Sequence, residues 1–123
     1  MKTILLAEDN ANFRALLLMT LSGADYEVIA AADGQEAWET LQRRAVDFLL
    51  LDLNMPRMNG LELCQKVRQS EAFKGLPILM LTVKDLVEDQ VHGYDSGADD
   101  YLSKSSDMPL LLSKIKALMA RTT

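Results

Sequence analysis

Short apolar runs alternate along the chain with segments of three-to-four spacing. The runs are Ile4–Ala7, Val28–Ala30, Phe48–Leu51, Ile78–Leu81 and the brief Tyr101–Leu102. They are too short and too continuous for half-exposed strands. They predict strands buried on both faces, the pattern of a parallel sheet. Between them, Phe13, Leu16, Leu17, Thr20 and Leu21 predict a first helix ending near Gly23. Trp38 and Leu41 predict a second, opened by Asp33 with Glu36 three residues on. Leu61, Cys64 and Val67 predict a third, with Asn59 and Glu62 in the same relation. Val87, Val91 and Tyr94 predict a fourth, after Asp85 and Glu88. Leu111, Ile115 and Leu118 predict a fifth, entered through Asp107 and Pro109. Five strands alternating with five helices predict an α/β fold, an open, doubly wound (βα)5 parallel sheet with right-handed crossovers. Met19, Met80 and Met119 fall on core-like spacings.

A chain of 123 residues is the size of a single domain, expected here over 1–123. With 49% hydrophobic and 25% charged residues it is a globular composition, which excludes disordered and fibrous classes. The formal charge of −5 argues against direct nucleic-acid binding, which needs a cationic face. Cys64 is the one cysteine, so neither an intrachain disulfide nor a cysteine zinc site can form. It is expected to be a small buried hydrophobe. The first apolar run ends at Glu8-Asp9, too early for a signal peptide, and no stretch is long enough for a membrane span. The chain reads as cytoplasmic, with no membrane partner.

Open α/β sheets bind ligands beyond the carboxyl ends of their strands. Glu8-Asp9 follow the first run, Asp52 the third, Thr82 the fourth, and Lys104 stands just past the fifth. Three carboxylates, a hydroxyl and an ammonium therefore share one sheet edge. Clustered carboxylates repel and need a cation or raised pKa values. Hard oxygen ligands at this density suit Mg2+. A divalent ion, a lysine and a hydroxyl around one aspartate fit phosphoryl transfer to that aspartate.

These residues carry a family resemblance. Glu8-Asp9, the stretch Leu51-Asp52-Leu53-Asn54-Met55-Pro56-Arg57-Met58-Asn59-Gly60, Leu81-Thr82 and Gly97-Ala98-Asp99-Asp100-Tyr101-Leu102-Ser103-Lys104 resemble a two-component response-regulator receiver domain over essentially the whole chain. The resemblance implies a flavodoxin-like sheet of order 2-1-3-4-5. It makes Asp52 the phosphoacceptor, and Asp9 a direct Mg2+ ligand with Glu8 holding the ion or its waters. Asn54 would add its backbone carbonyl. Thr82 and Lys104 would bind phosphoryl oxygens, and Tyr101 would be the aromatic switch partner of Thr82. The implied donor is a histidine kinase, a phosphotransfer protein or a small donor such as acetyl phosphate. Phosphorylation would shift the face made by the fourth helix, fifth strand and fifth helix, and so control an output protein or a fused effector domain.

Two departures stand out. The family usually has Lys-Pro with a cis peptide; Lys104-Ser105-Ser106 here favours a trans bond and a rearranged loop. Val83 stands where the family often has alanine and is expected to narrow access to Asp52, with Lys84 close to the same opening. His92 is expected at the surface. Asp99 and Asp100, against Lys114, Lys116 and Arg121, suggest a homodimer paired across that same face. The alternatives are a receiver-like interaction module that is never phosphorylated, a haloacid-dehalogenase-type phosphatase and a flavin carrier. The phosphatase would want a second aspartate where Asn54 stands. The flavin carrier would want a glycine- and hydroxyl-rich loop where Glu8-Asp9-Asn10 stands.

Overall fold

The structure, a computed structural model, describes residues 1–83 and 97–121. Five parallel strands, β1 (Thr3–Ala7), β2 (Glu27–Ala31), β3 (Phe48–Asp52), β4 (Ile78–Thr82) and β5 (Asp100–Ser103), form one sheet of order β2-β1-β3-β4-β5. Four helices are described: α1 (Ala11–Gly23), α2 (Gly34–Leu41), α3 (Gly60–Gln69) and α4 (Met108–Ala120). The last corresponds to the fifth helix of the sequence pattern. The helix expected around Val87, Val91 and Tyr94 lies outside the described residues, as do Lys84 and His92.

Alternate residues of each central strand feed two separate cores, as the period of two requires. Leu5, Leu49, Leu51, Ile78, Met80 and Tyr101 pack with Ala37, Leu41, Leu63, Cys64 and Val67 of α2 and α3. Ile4, Leu6, Phe48, Leu50, Leu79, Leu81 and Leu102 pack with Leu17 and Leu21 of α1 and with Leu111, Ile115 and Leu118 of α4. Strands β1, β3 and β4 are buried throughout, but β2 is not: only Ala31 is fully buried. As an edge strand it is covered along one side alone. The core-like spacing of Met19 needs correction as well. Leu16 and Met19 are 45% and 74% exposed, because α1 points only its Leu17–Leu21 stripe at the sheet. Met80 and Met119 are core residues as expected.

Each described helix starts from a polar cap whose side chain accepts a backbone N–H three residues on. Asn10 takes that of Phe13, Asp33 that of Glu36, Asn59 that of Glu62 and Asp107 that of Leu110. Asn59 and Glu62 complete a reciprocal capping box. Glu36 reaches one residue further back, to the Ala32 N–H.

The end of the sheet away from the strand-end acids is tied together by Arg68. Its guanidinium donates to the carbonyls of Gly97, Lys74 and Leu76, and pairs with Asp99 at 2.9 Å. Asp99 also accepts the Ile78 N–H. Asp100 pairs with Lys114 at 2.8 Å. Both aspartates thus have a cation within the chain. Arg68→Ala would strand three carbonyls and a half-buried carboxylate. It should lower stability by about 2–3 kcal/mol, read from the urea midpoint, with Arg68→Lys recovering only part of the loss.

Candidate functional site

Parallel register sets the strand ends level. Ala7 pairs with Leu51, Asp52 with Leu81, and Thr82 with Ser103. The residues that finish or follow these strands are therefore Glu8, Asp52, Thr82 and Lys104. Glu8 is fully buried, and Asp52 and Thr82 are nearly so. Asp9 is exposed. One oxygen from each of Glu8, Asp9 and Asp52 lies within 4.8 Å of the others.

Lys104 crosses from the far side of the edge. Its Nζ stands 3.1 Å from Asp52 Oδ2 and 3.0 Å from Glu8 Oε2, to which it donates. Glu8 Oε2 also accepts the Asn10 N–H. Glu8 Oε1 faces the ammonium at 2.8 Å but outside hydrogen-bonding geometry, so it is a buried oxygen with no hydrogen bond. All peptide bonds among the described residues are trans, Lys104–Ser105 included, as the missing proline led one to expect. The loop is closed instead by serine. Ser103 Oγ accepts the Ser105 N–H and lies 2.7 Å from Ser105 Oγ, while the Lys104 N–H donates to the Thr82 carbonyl. The ammonium also sits 5.1 Å from the centre of the Phe13 ring.

Burial pushes the Asp52 carboxyl up from its ordinary 3.8 to about 7, and the neighbouring Glu8 charge pushes the same way, outweighing Lys104. Burial works against the charged Lys104, but its hydrogen bonds to Glu8 and Asp52 win and hold its pKa above the ordinary lysine value. One ammonium cannot neutralise three carboxylates. The excess of two negative charges and the unbonded Glu8 oxygen fit a divalent cation with hard oxygen ligands.

The loop after β3 orients Asp52. The Asn54 N–H donates to Asp52 Oδ1 at 3.2 Å. Gly60 is required where that loop returns, because a Cβ there would collide with the Asp52 carbonyl. The structure thus brings together Glu8, Asp9, Asp52, Lys104 and the Asn54 backbone, with Thr82 on the adjoining strand end. Tyr101 is a buried residue of the core under α2 and α3, opposite Met80.

Sequence reasoning missed three contributors. Asn10 caps α1 and binds Glu8, and a cap before an apolar-periodic run was a readable signal. Arg14 donates to the Glu8 carbonyl at 2.8 Å, one turn into α1. Phe13, read only as a position of the first helix, packs against the core and also shelves the lysine.

Residues 4–116 match the family model for the response regulator receiver domain. The chain belongs to that family. It is 44% identical over 119 residues to the response regulator MprA of Mycobacterium leprae, covering 97% of this chain and 51% of that protein. It is 36% identical over 122 residues to the DNA-binding dual master transcriptional regulator RpaA of Synechocystis sp., covering 99% of this chain and 51% of that one. The chain therefore spans about half the length of these relatives. Among solved structures, the chemotaxis protein CheY4 of Vibrio cholerae superposes with a TM-score of 0.91 at 36% identity, over 96% of this chain and 98% of that one. No described helix is long and apolar enough to cross a membrane.

A carboxyl whose pKa is raised on folding binds its proton more tightly in the native state. In metal-free buffer, stability should therefore fall as pH rises from about 4 to about 7 and level off above it, a change on the order of a few kcal/mol. Urea midpoints across that range should show the slope in the wild type and lose it in Asp52→Asn. Mg2+ should recover stability on the high-pH side.

Proposed function

We propose that this chain is a phosphorylation-driven switch in which Asp52 accepts the phosphoryl group. The single observation that carries the reading is Asp52 itself: buried, flanked by Glu8 and Asp9, and held 3.1 Å from Lys104 at the sheet edge. Glu8, Asp9 and Asp52 would hold Mg2+, joined by the Asn54 carbonyl. When bound, the ion neutralises charge on the phosphoryl oxygens and on the cluster.

An oxygen of the Asp52 carboxylate attacks phosphorus. With a phosphohistidine donor the P–N bond breaks, an acyl phosphate forms, and the departing imidazole takes a proton from solvent. The Asn54 N–H fixes the unreacting Asp52 oxygen. Lys104 already spans Glu8 and Asp52, so it can pass to a phosphoryl oxygen without leaving the site. Thr82 closes the third side. The new group adds about −1.5 to −2 charge and three acceptors. Thr82 turning towards it would draw on Tyr101, whose buried ring adjoins Met80, the strand neighbour of Leu81. The chain's own chemistry is limited to taking up this phosphoryl group and losing it to water. A histidine kinase or phosphotransfer protein is the donor. The output is a fused domain or a separate protein, and the formal charge of −5 argues against direct nucleic-acid contact by these residues.

Intact mass after incubation with acetyl phosphate and Mg2+ should show one added phosphoryl group, absent in Asp52→Asn and absent without the metal. No uptake from acetyl phosphate or from a phosphohistidine donor would leave the interaction-module reading. Val83 is 64% exposed directly after Thr82. Val83→Ala should speed phosphorylation by acetyl phosphate and hydrolysis of the product severalfold, and the same mass assay followed over time measures both.

A further inference from the structure

The loop between β3 and α3 is held from an unexpected direction. The Met58 N–H donates to the Pro56 carbonyl at 2.7 Å, closing a three-residue turn around Arg57. Arg57 sits at φ +66°, in the left-handed region. That combination is the rare, strained γ-turn, and glycine is the residue that adopts such a φ without steric cost. An arginine is kept there by a partner. Its Nε lies 3.1 Å from Asp33 Oδ2, and its other donor reaches Oδ1 at 3.3 Å.

Asp33 is the cap of α2, and its side chain is only 14% exposed. The pair therefore joins the turns after β2 and β3, two strands that are not neighbours, because β1 with Glu8 and Asp9 at its end runs between them. The two turns also meet through backbone. A Cβ on Gly34, the first residue of α2, would collide with the Met58 carbonyl. From Arg57 the loop runs back to the site through Pro56, which has a locked φ, and Met55, which is buried, to Asn54 and its hydrogen bond with Asp52.

We infer that Asp33 and Arg57 are a positioning pair for the metal site: their clasp sets the loop that orients Asp52 and carries the Asn54 carbonyl. The inference rests on reading Glu8, Asp9 and Asp52 as Mg2+ ligands. Strain at a non-glycine residue persists only where its surroundings hold it, and such residues gather at functional sites. Partners of the groups that orient metal ligands commonly govern metal affinity.

Calorimetric titration of the intact chain with Mg2+ alone tests it, beside urea unfolding of the same proteins. Asp33→Asn keeps a cap acceptor and removes the charge. Arg57→Gly removes the other partner and relieves the backbone. Each should weaken Mg2+ binding about threefold to tenfold. The double variant should lose no more than either single one. Arg57→Gly should meanwhile keep or raise the urea midpoint, so that affinity falls while stability does not. Unchanged Mg2+ affinity in both single variants would overturn the inference alone, and so would losses that add in the double variant. A wild type that takes up no Mg2+ would overturn the metal reading, and the inference with it.

Discussion

Three carboxylates brought to the end of one sheet repel each other, and one lysine holds two of them. Lys104 reaches Glu8 and Asp52 at about the distance of a direct ion pair, from a strand two places away from β3. At an effective dielectric near 20, each carboxylate pair at about 4 Å costs about 4 kcal/mol. The ammonium offsets part of this, while burial first and the Glu8 charge second raise the pKa of Asp52. The site gathers more negative charge than its one lysine neutralises, and its oxygen donors fit a divalent cation.

The remainder of the fold keeps that charge in place. Two apolar cores clamp the sheet from both faces, so the strand ends cannot splay to relieve repulsion. Asn10 and Arg14 bind Glu8 from α1, and Phe13 lies against the lysine. Asn54 and the Gly60 contact fix the β3 loop. At the opposite end of the sheet, Arg68 ties α3 to the approaches of β4 and β5. The chain thus has a tied end at Arg68 and a charged end at Asp52.

Much of this was legible in the residues. The five apolar runs gave the strands to within a residue at either end. The caps at Asp33, Asn59 and Asp107 marked three helix starts, because a side-chain acceptor before a helix satisfies an orphan N–H. The strand-end rule brought out Glu8, Asp9, Asp52, Thr82 and Lys104 before any geometry was known. Less legible was which apolar residues face water. The spacing placed Leu16 and Met19 on helix α1, but the width of the stripe the sheet covers decides their burial, and it covers only Leu17 and Leu21 fully. The partial exposure of β2 was not legible in its apolar run either, although the 2-1-3-4-5 order implied by the resemblance already puts that strand at an edge.

By itself, the order of residues determined the element types, the sheet edge that carries chemistry and the acids and base that stand on it, because periodicity, capping and strand ends are local properties of a chain. Only the tertiary structure decided which charges meet. Asp99 and Asp100 looked like groups awaiting a second chain, and proved to be paired with Arg68 and Lys114. The Lys104 loop keeps its reach without proline because two serine hydroxyls close it. Asp33 finds Arg57 across 24 residues of chain. Pairings of this kind depend on how strands are ordered and how far side chains reach in three dimensions, and no local pattern encodes either.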